Sequence, residues 1–308
     1  MASGSVDLHI LVDVEDLDAV QAEIRLIMEL TFPGRPILLF DRTFEDTVRL
    51  FRGWYDGYQS CKTEYHDLHH TLEVLLAAAR MIHAGVLDGR SISHRGAELA
   101  LIASLMHDVG YIQKAGEKGS GGQYTTVHVE RSADFLEQYC EQLSLSASDI
   151  EACCCMITVT SLSIDPDTLL YRDPETELLA KIVASADLLG QMADRLYLEK
   201  LLFLYREFRE AGVLVYPNEF DLINQTRSFY AMVRRRLDEK LGSLDRPLAL
   251  HFRERWQMDL NLYDDAIALN LQYLEFIVEK HKDDYRQKLK RGGIVDRIIR
   301  SERPATES

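Results

Sequence analysis

Positive charge is the scarce sign in this chain: 35 Lys plus Arg stand against 50 Asp plus Glu, a formal net charge of −15. Such a surface repels phosphate backbones and anionic lipid, which argues against a nucleic-acid or membrane-surface role. A small anionic substrate stays open, because a bound metal reverses the field locally. Long apolar runs are also missing: none approaches the roughly 20 residues of a bilayer span. MASGSVDLHILVDVEDLD has no basic flank before its apolar patch, so it does not read as a secretory signal. The five cysteines (Cys61, Cys140, Cys153, Cys154, Cys155) include no CxxC spacing. Three consecutive cysteines on a helix point in three directions and cannot grip one tetrahedral ion. They read as reduced, mostly buried thiols of a cytoplasmic protein.

Proline is rare, with seven residues, most of them between helical patterns. HILVDV reads as a short strand, followed by an apolar helical stripe at Leu17, Val20, Ile24 and Ile27 that ends at FPGRP. Residues 1–40 are therefore expected to form a small strand-helix appendage. Beyond Asp41 the period is helical: Leu68, Leu72, Leu75, Leu76 and Ala79 make one face, Leu99, Ile102, Ala103 and Met106 another. Helical patterns continue over 128–142, 148–160, 176–210, 219–241 and 262–290. The expected fold is mostly α, with one helical domain over 41–300 and a disordered tail over 301–308. The clearest irregular stretch is KAGEKGSGGQYTT, Lys114 to Thr126, with four glycines.

Histidine is sparse, ten in the chain, yet YHDLHH holds three. His66 and His70, four apart, share a helix face, while His69 points elsewhere. An apolar helix, LALIASLMHDVGY, runs into His107–Asp108, and LLAKIVASADLLG places Asp187 inside another. A buried carboxylate needs a partner. Three polar interruptions of apolar helices fit a shared metal ion better than three separate caps.

In this arrangement the sequence resembles the HD-domain metal-dependent phosphohydrolases, whose ligands come as His, His-Asp and a later Asp. It is most similar to the branch of the class I cyclic nucleotide phosphodiesterases. YHDLHHTLEV stands where that branch has YHNxxHxxDV; VTSLSID echoes ATDMxxH, with Thr160 at the threonine; SADLLGQ echoes CADLSNP, with Asp187 at the aspartate. The resemblance spans about residues 60–212 in the same order. It implies a phosphodiesterase-like helical bundle holding one or two divalent ions (Mn, Zn, Fe, Co, Ni or Mg). By position, His70, His107, Asp108 and Asp187 would bind the first ion, and Asp108 would bridge to a second. His66 would be the general acid, a role imidazole suits because it titrates near neutrality. His128 and Lys114 would approach the second ion or the phosphate, and Tyr111, Thr160 and Gln191 would line the substrate pocket.

The departures carry their own implications. Tyr111 stands at a family histidine, which alters the water network of a second ion, and Asp67 replaces an asparagine. Glu210 and Ala211 of REFREAG stand where glutamine reads the purine. Alanine cannot make those directional hydrogen bonds, although Gln191 or Gln225 could substitute. Metal chemistry carries over, then, without cyclic nucleotide specificity. The leading expectation is a phosphohydrolase acting on a small phosphorylated substrate. A non-catalytic, metal-stabilised regulatory module is the alternative. A di-iron oxygenase is a third class, weakened by the lack of histidines between His128 and His251. The acidic surface and the long C-terminal helices permit a homodimer without requiring one.

Overall fold

The computed structural model describes residues 7–302; the last six residues of the expected tail, 303–308, lie outside the described residues. The N-terminal strand does not form, and the described residues contain no strand. Leu8–Ile10 is instead a single 3-10 turn. Asp7 accepts from His9 N at 3.2 Å and Asp13 from Glu15 N at 3.0 Å. These local aspartate turns, with no neighbouring strand to complete a ladder, override the β-prone composition of HILVDV.

Helices follow: α1 (Leu17–Thr31), α2 (Leu38–Phe51), α3 (Leu68–Leu87), α4 (His94–Met106), α5 (His128–Gln142), α6 (Ala147–Thr160) and α7 (Pro174–Ala193). The remainder are α8 (Tyr197–Glu210), α9 (Glu219–Glu239), α10 (Leu248–Trp256), α11 (Leu262–Lys280), α12 (Tyr285–Lys288) and α13 (Ile294–Glu302). Side-chain caps start several of them. Asp16 accepts from Ala19 N, Asp67 from His70 N, Ser93 from Gly96 N and Asp173 from Thr176 N, each satisfying a free helical donor. The periodic stretch 176–210 is two helices rather than one. It breaks at 194–196, where Asp194 accepts from Leu196 N at 2.7 Å and pairs with Lys200 at 2.7 Å.

The centre of the molecule is α3, buried along most of its length and packed on α7, α4, α1 and α10. Length and composition would let α3 cross a membrane, but 89% of that window is buried inside the protein. Gly190 of α7 lets the two central helices close up, since a Cβ there would stand 3.1 Å from Val74 N. α6 lies on α7 and α5 on α6. Apolar residues from Leu8 to Ile298 join one core, so residues 7–40 pack with the remainder rather than apart from it.

The contact of α10 with α3 contains an acid-sensitive pair. His251 (fully buried) and His83 meet Nδ1 to Nδ1 at 3.0 Å, beside buried Arg80. Burial, then the charges of Arg80, His83 and Arg255, push the His251 pKa down to about 2. In the unfolded chain an ordinary imidazole takes up its proton near pH 6.5. Below that pH the unfolded state binds the proton and the folded state does not, so stability falls as pH falls. Between pH 7 and 5 this residue costs about 2 kcal/mol. Urea unfolding of wild type and His251→Gln at both pH values checks this, the variant losing that part of the pH dependence.

Candidate active site

The candidate ligands reach one point from three helices. The Asp67 cap starts α3 so that His70 faces inward while His69 turns to Glu15, 2.9 Å away. α4 ends at Met106, and His107 and Asp108 lead into the 3-10 turn Val109–Tyr111. This turn needs glycine: a Cβ on Gly110 would collide with the carbonyl oxygen of His128. Gly110 N–H donates to Ser132 Oγ at 2.9 Å, and Arg131 Nε donates to Gly110 O at 2.8 Å, which fastens α5 to the turn. Mid-helix on α7, Asp187 supplies the last carboxylate.

His107 Nε2 lies 3.1 Å from Asp108 Oδ2 and 3.7 Å from Asp187 Oδ1. His70 Nε2 lies 3.4 and 3.3 Å from the same two oxygens. Charge-assisted hydrogen bonds are shorter, about 2.7–2.9 Å. Donors bonded to one ion at about 2.0–2.2 Å, by contrast, stand roughly 3–4 Å from their neighbours. His107 Nδ1–H donates to Ser104 O at 2.8 Å, so its Nε2 faces the carboxylates. Both His107 Nε2 and Asp108 Oδ2 are buried without a hydrogen-bond partner. Carboxylate oxygens at these distances call for positive charge between them, which a proton or a metal ion can supply, and two imidazoles with two carboxylates suit Zn, Mn, Fe, Co or Ni. The carboxylates draw positive charge towards both histidines and raise the pKa of His107 as well as that of His70. Burial works against charge on His70, but Asp108 and Asp187 outweigh it and lift its pKa to about 10. Burial also opposes ionisation of Asp108, yet His107 and its neighbours hold its carboxyl well below the usual range.

His128 stands beside this cluster. His128 Nδ1–H donates to Thr125 O at 2.7 Å, leaving Nε2 3.6 Å from Asp108 Oδ1. Asp108 therefore faces histidine with both oxygens. Tyr111 is stacked between His66 and His128, with ring centroids 4.2 and 4.5 Å away. Burial and the charge of Asp108 raise its pKa, so it stays a phenol.

His66 stands apart from the four donors. Its Nδ1–H donates to Glu207 Oε2 at 2.6 Å, and its Nε2 is 3.5 Å from the Tyr111 hydroxyl. Glu207, on α8 and 4% exposed, also accepts from Tyr65 N at 2.8 Å, so it grips two consecutive residues. Sequence reasoning passed over Glu207 while weighing Glu210 of the same segment. Glu210 instead accepts from Ser120 Oγ at 2.5 Å and holds the glycine-rich loop against α8.

His66, His70, Asp108 and Asp187 line a cavity of about 680 Å³, while His107 and Glu207 are buried and do not line it. Tyr111, Thr160, Gln191 and His128 line it, and Gln191 accepts from Tyr65 OH at 2.8 Å. Lys114 does not line this cavity. Its loop folds back, with Lys114 N–H donating to Glu117 and its carbonyl accepting from Gln59, so the residue faces a separate groove with Tyr58 and Arg131. Gln225 is exposed and also outside the cavity. The loop contributes Thr125 and Thr126 to the wall in place of a cation.

Residues 115–249, less than half of the chain, match the model of a family described as Npun_R2479-like. No curated protein and no solved structure matches the chain. The matched stretch contains His128, Thr160, Asp187, Gln191 and Glu207, and it begins after His66, His70, His107 and Asp108.

Proposed function

We propose that this protein is a metal-dependent phosphohydrolase of the HD-domain type, cleaving a phosphoester of a small molecule. One observation carries the reading: His70, His107 and Asp187 hold donor atoms within 4.8 Å of one another, Asp108 lies beside both histidines, and His66, His70, Asp108 and Asp187 all line a single cavity. His70, His107, Asp108 and Asp187 would hold the first ion, and Asp108 with His128 a second. When bound, such ions activate water for attack at phosphorus and neutralise charge gathering on the phosphoryl oxygens.

The chain's own contribution is a placed proton. Glu207 fixes the His66 ring through Nδ1 and leaves Nε2 to protonate the leaving oxygen. Tyr65 N–H holds the carboxylate in turn, and the Tyr111 ring keeps the imidazole from rotating. A non-catalytic, metal-stabilised module is favoured by Tyr111 filling the space between His66 and His128. That reading leaves the buried Glu207–His66 pair without a task.

The test is to load the protein with Mn, Ni or Zn and offer phosphomonoesters, phosphodiesters and cyclic nucleotides while following product release. Turnover of at least one class, lost in His66→Ala, is expected. Metal-loaded protein that turns over none of them would sink the hydrolase reading.

A further inference from the structure

The cavity has two unlike walls. On one side α8 and α9 pack on each other and on α7, and they line it with Leu188, Leu204, Phe208 and Phe229. Leu204, Phe208 and Phe229 are only half-buried, and Leu162, in the loop between α6 and α7, lines the cavity while 46% exposed. The Phe208 ring is braced by stacking on Tyr216, centroids 6.0 Å apart. Partly open apolar surface inside a concave site marks a place for a ligand's hydrocarbon.

The polar groups that line the cavity from α6, α7 and the loop between them are already bonded within the protein. Thr158 Oγ1 donates to Cys154 O at 2.9 Å and Thr160 Oγ1 to Ile157 O at 2.8 Å. Ser161 and Ser163 hold each other at 2.8 Å, and Gln191 accepts from Tyr65 OH. No lysine or arginine lines the cavity among the described residues. A sugar, a base or a second phosphate placed against this wall would give up water for few new bonds, which costs affinity. Hydrocarbon has no such bonds to lose and gains by covering the open apolar surface.

Glu207, which holds His66 at 2.6 Å, belongs to the same helix as Leu204 and Phe208. The oxygen that His66 would protonate therefore faces α8, and so does the group attached to it. We infer that the leaving group is an apolar alcohol, alkyl or aryl, whose hydrocarbon rests on Leu188, Leu204, Phe208 and Phe229 while a single phosphoryl group meets the ligand cluster. The inference rests on the phosphohydrolase reading and narrows its substrate class.

Ethyl phosphate and hexyl phosphate isolate the hydrocarbon. Hydrolysis adds water across the P–O bond of either, releasing inorganic phosphate and the alcohol. The methyl diesters of the same two alcohols, giving methyl phosphate and the alcohol, cover a site restricted to diesters. Metal-loaded wild type is expected to favour the hexyl ester of the class it hydrolyses about tenfold in kcat/KM, and to bind hexyl phosphate about tenfold more tightly than ethyl phosphate in calorimetry. Adenosine monophosphate, rich in polar groups, is expected to bind more weakly than hexyl phosphate. Phe229→Gln, on a different helix from Glu207, lowers the hexyl-to-ethyl ratio. Leu162→Ser, at an exposed edge of the cavity, lowers it too and keeps the test open should the first variant not fold. A chain-length preference in binding without hydrolysis of any ester would retain the apolar subsite and remove the hydrolase reading. No preference for hexyl over ethyl, a preference unchanged in both variants, or tighter binding of adenosine monophosphate would overturn the inference.

Discussion

On the proposed reading, Asp108→Ala is expected to lose bound divalent metal, and with it all turnover. Asp108 is 3% exposed and would serve both proposed metal positions, with Oδ2 3.1 Å from His107 and 3.4 Å from His70, and Oδ1 3.6 Å from His128. Its removal leaves two imidazole nitrogens sharing a single carboxylate, and half of the anionic charge that would offset a divalent ion is gone. Changing a group that merely orients a ligand costs about 10–100-fold in metal affinity. Loss of a ligand shared by both positions costs more. Elemental analysis after dialysis, with one equivalent or more in wild type and under a tenth in the variant, checks this. A ligand-dependent rise in Tm on adding metal gives a second readout, present in wild type and absent from the variant. Lys114→Ala, outside the cavity, keeps its metal. An Asp108→Ala protein with wild-type metal content would mean that these four residues are not a metal centre.

His66→Ala has a different signature: metal stays, and the rate falls by about 10²–10⁴ for esters with alkoxide leaving groups. A 4-nitrophenyl ester, whose leaving oxygen needs no proton, is slowed little. The contrast follows from placement, since His66 makes its short contact with Glu207 rather than with the two ligand carboxylates. Glu207→Gln is expected to fall between wild type and His66→Ala, because an amide oxygen still accepts from Nδ1–H but holds the ring less firmly than a carboxylate. If His66→Ala also strips the metal, the division between ligand and acid is wrong.

The residues expected as ligands stood out in the sequence because His107–Asp108 and Asp187 interrupt apolar helices and His70 lies four residues from His66, and the structure brings them near one another. The mostly helical character was visible for the same reason. Glu207 was not, because its neighbours Arg206, Arg209 and Glu210 make the whole stretch look solvated. Its burial arises from contact with Tyr65, distant in sequence. Lys114 misled in the opposite way: a charge near a glycine-rich loop suggested phosphate, and local backbone bonds turned it outward. HILVDV carried the right composition for a strand but lacked a partner, which composition cannot supply. The break between α7 and α8 was hidden because Leu196 continues the apolar stripe across it, while Asp194 ends the helix with a side-chain bond that periodicity does not register.

The grip of Glu207 on Tyr65 and His66 also sets an order in time. A chain made from its N-terminus presents His70, His107, Asp108 and Asp187 before α8 exists. On the proposed reading, a nascent chain could take up its metal while His66 still swings freely. Reactivity would be switched on only when the late-arriving helix docks, so the growing polypeptide carries a charged but idle centre until most of its core is complete.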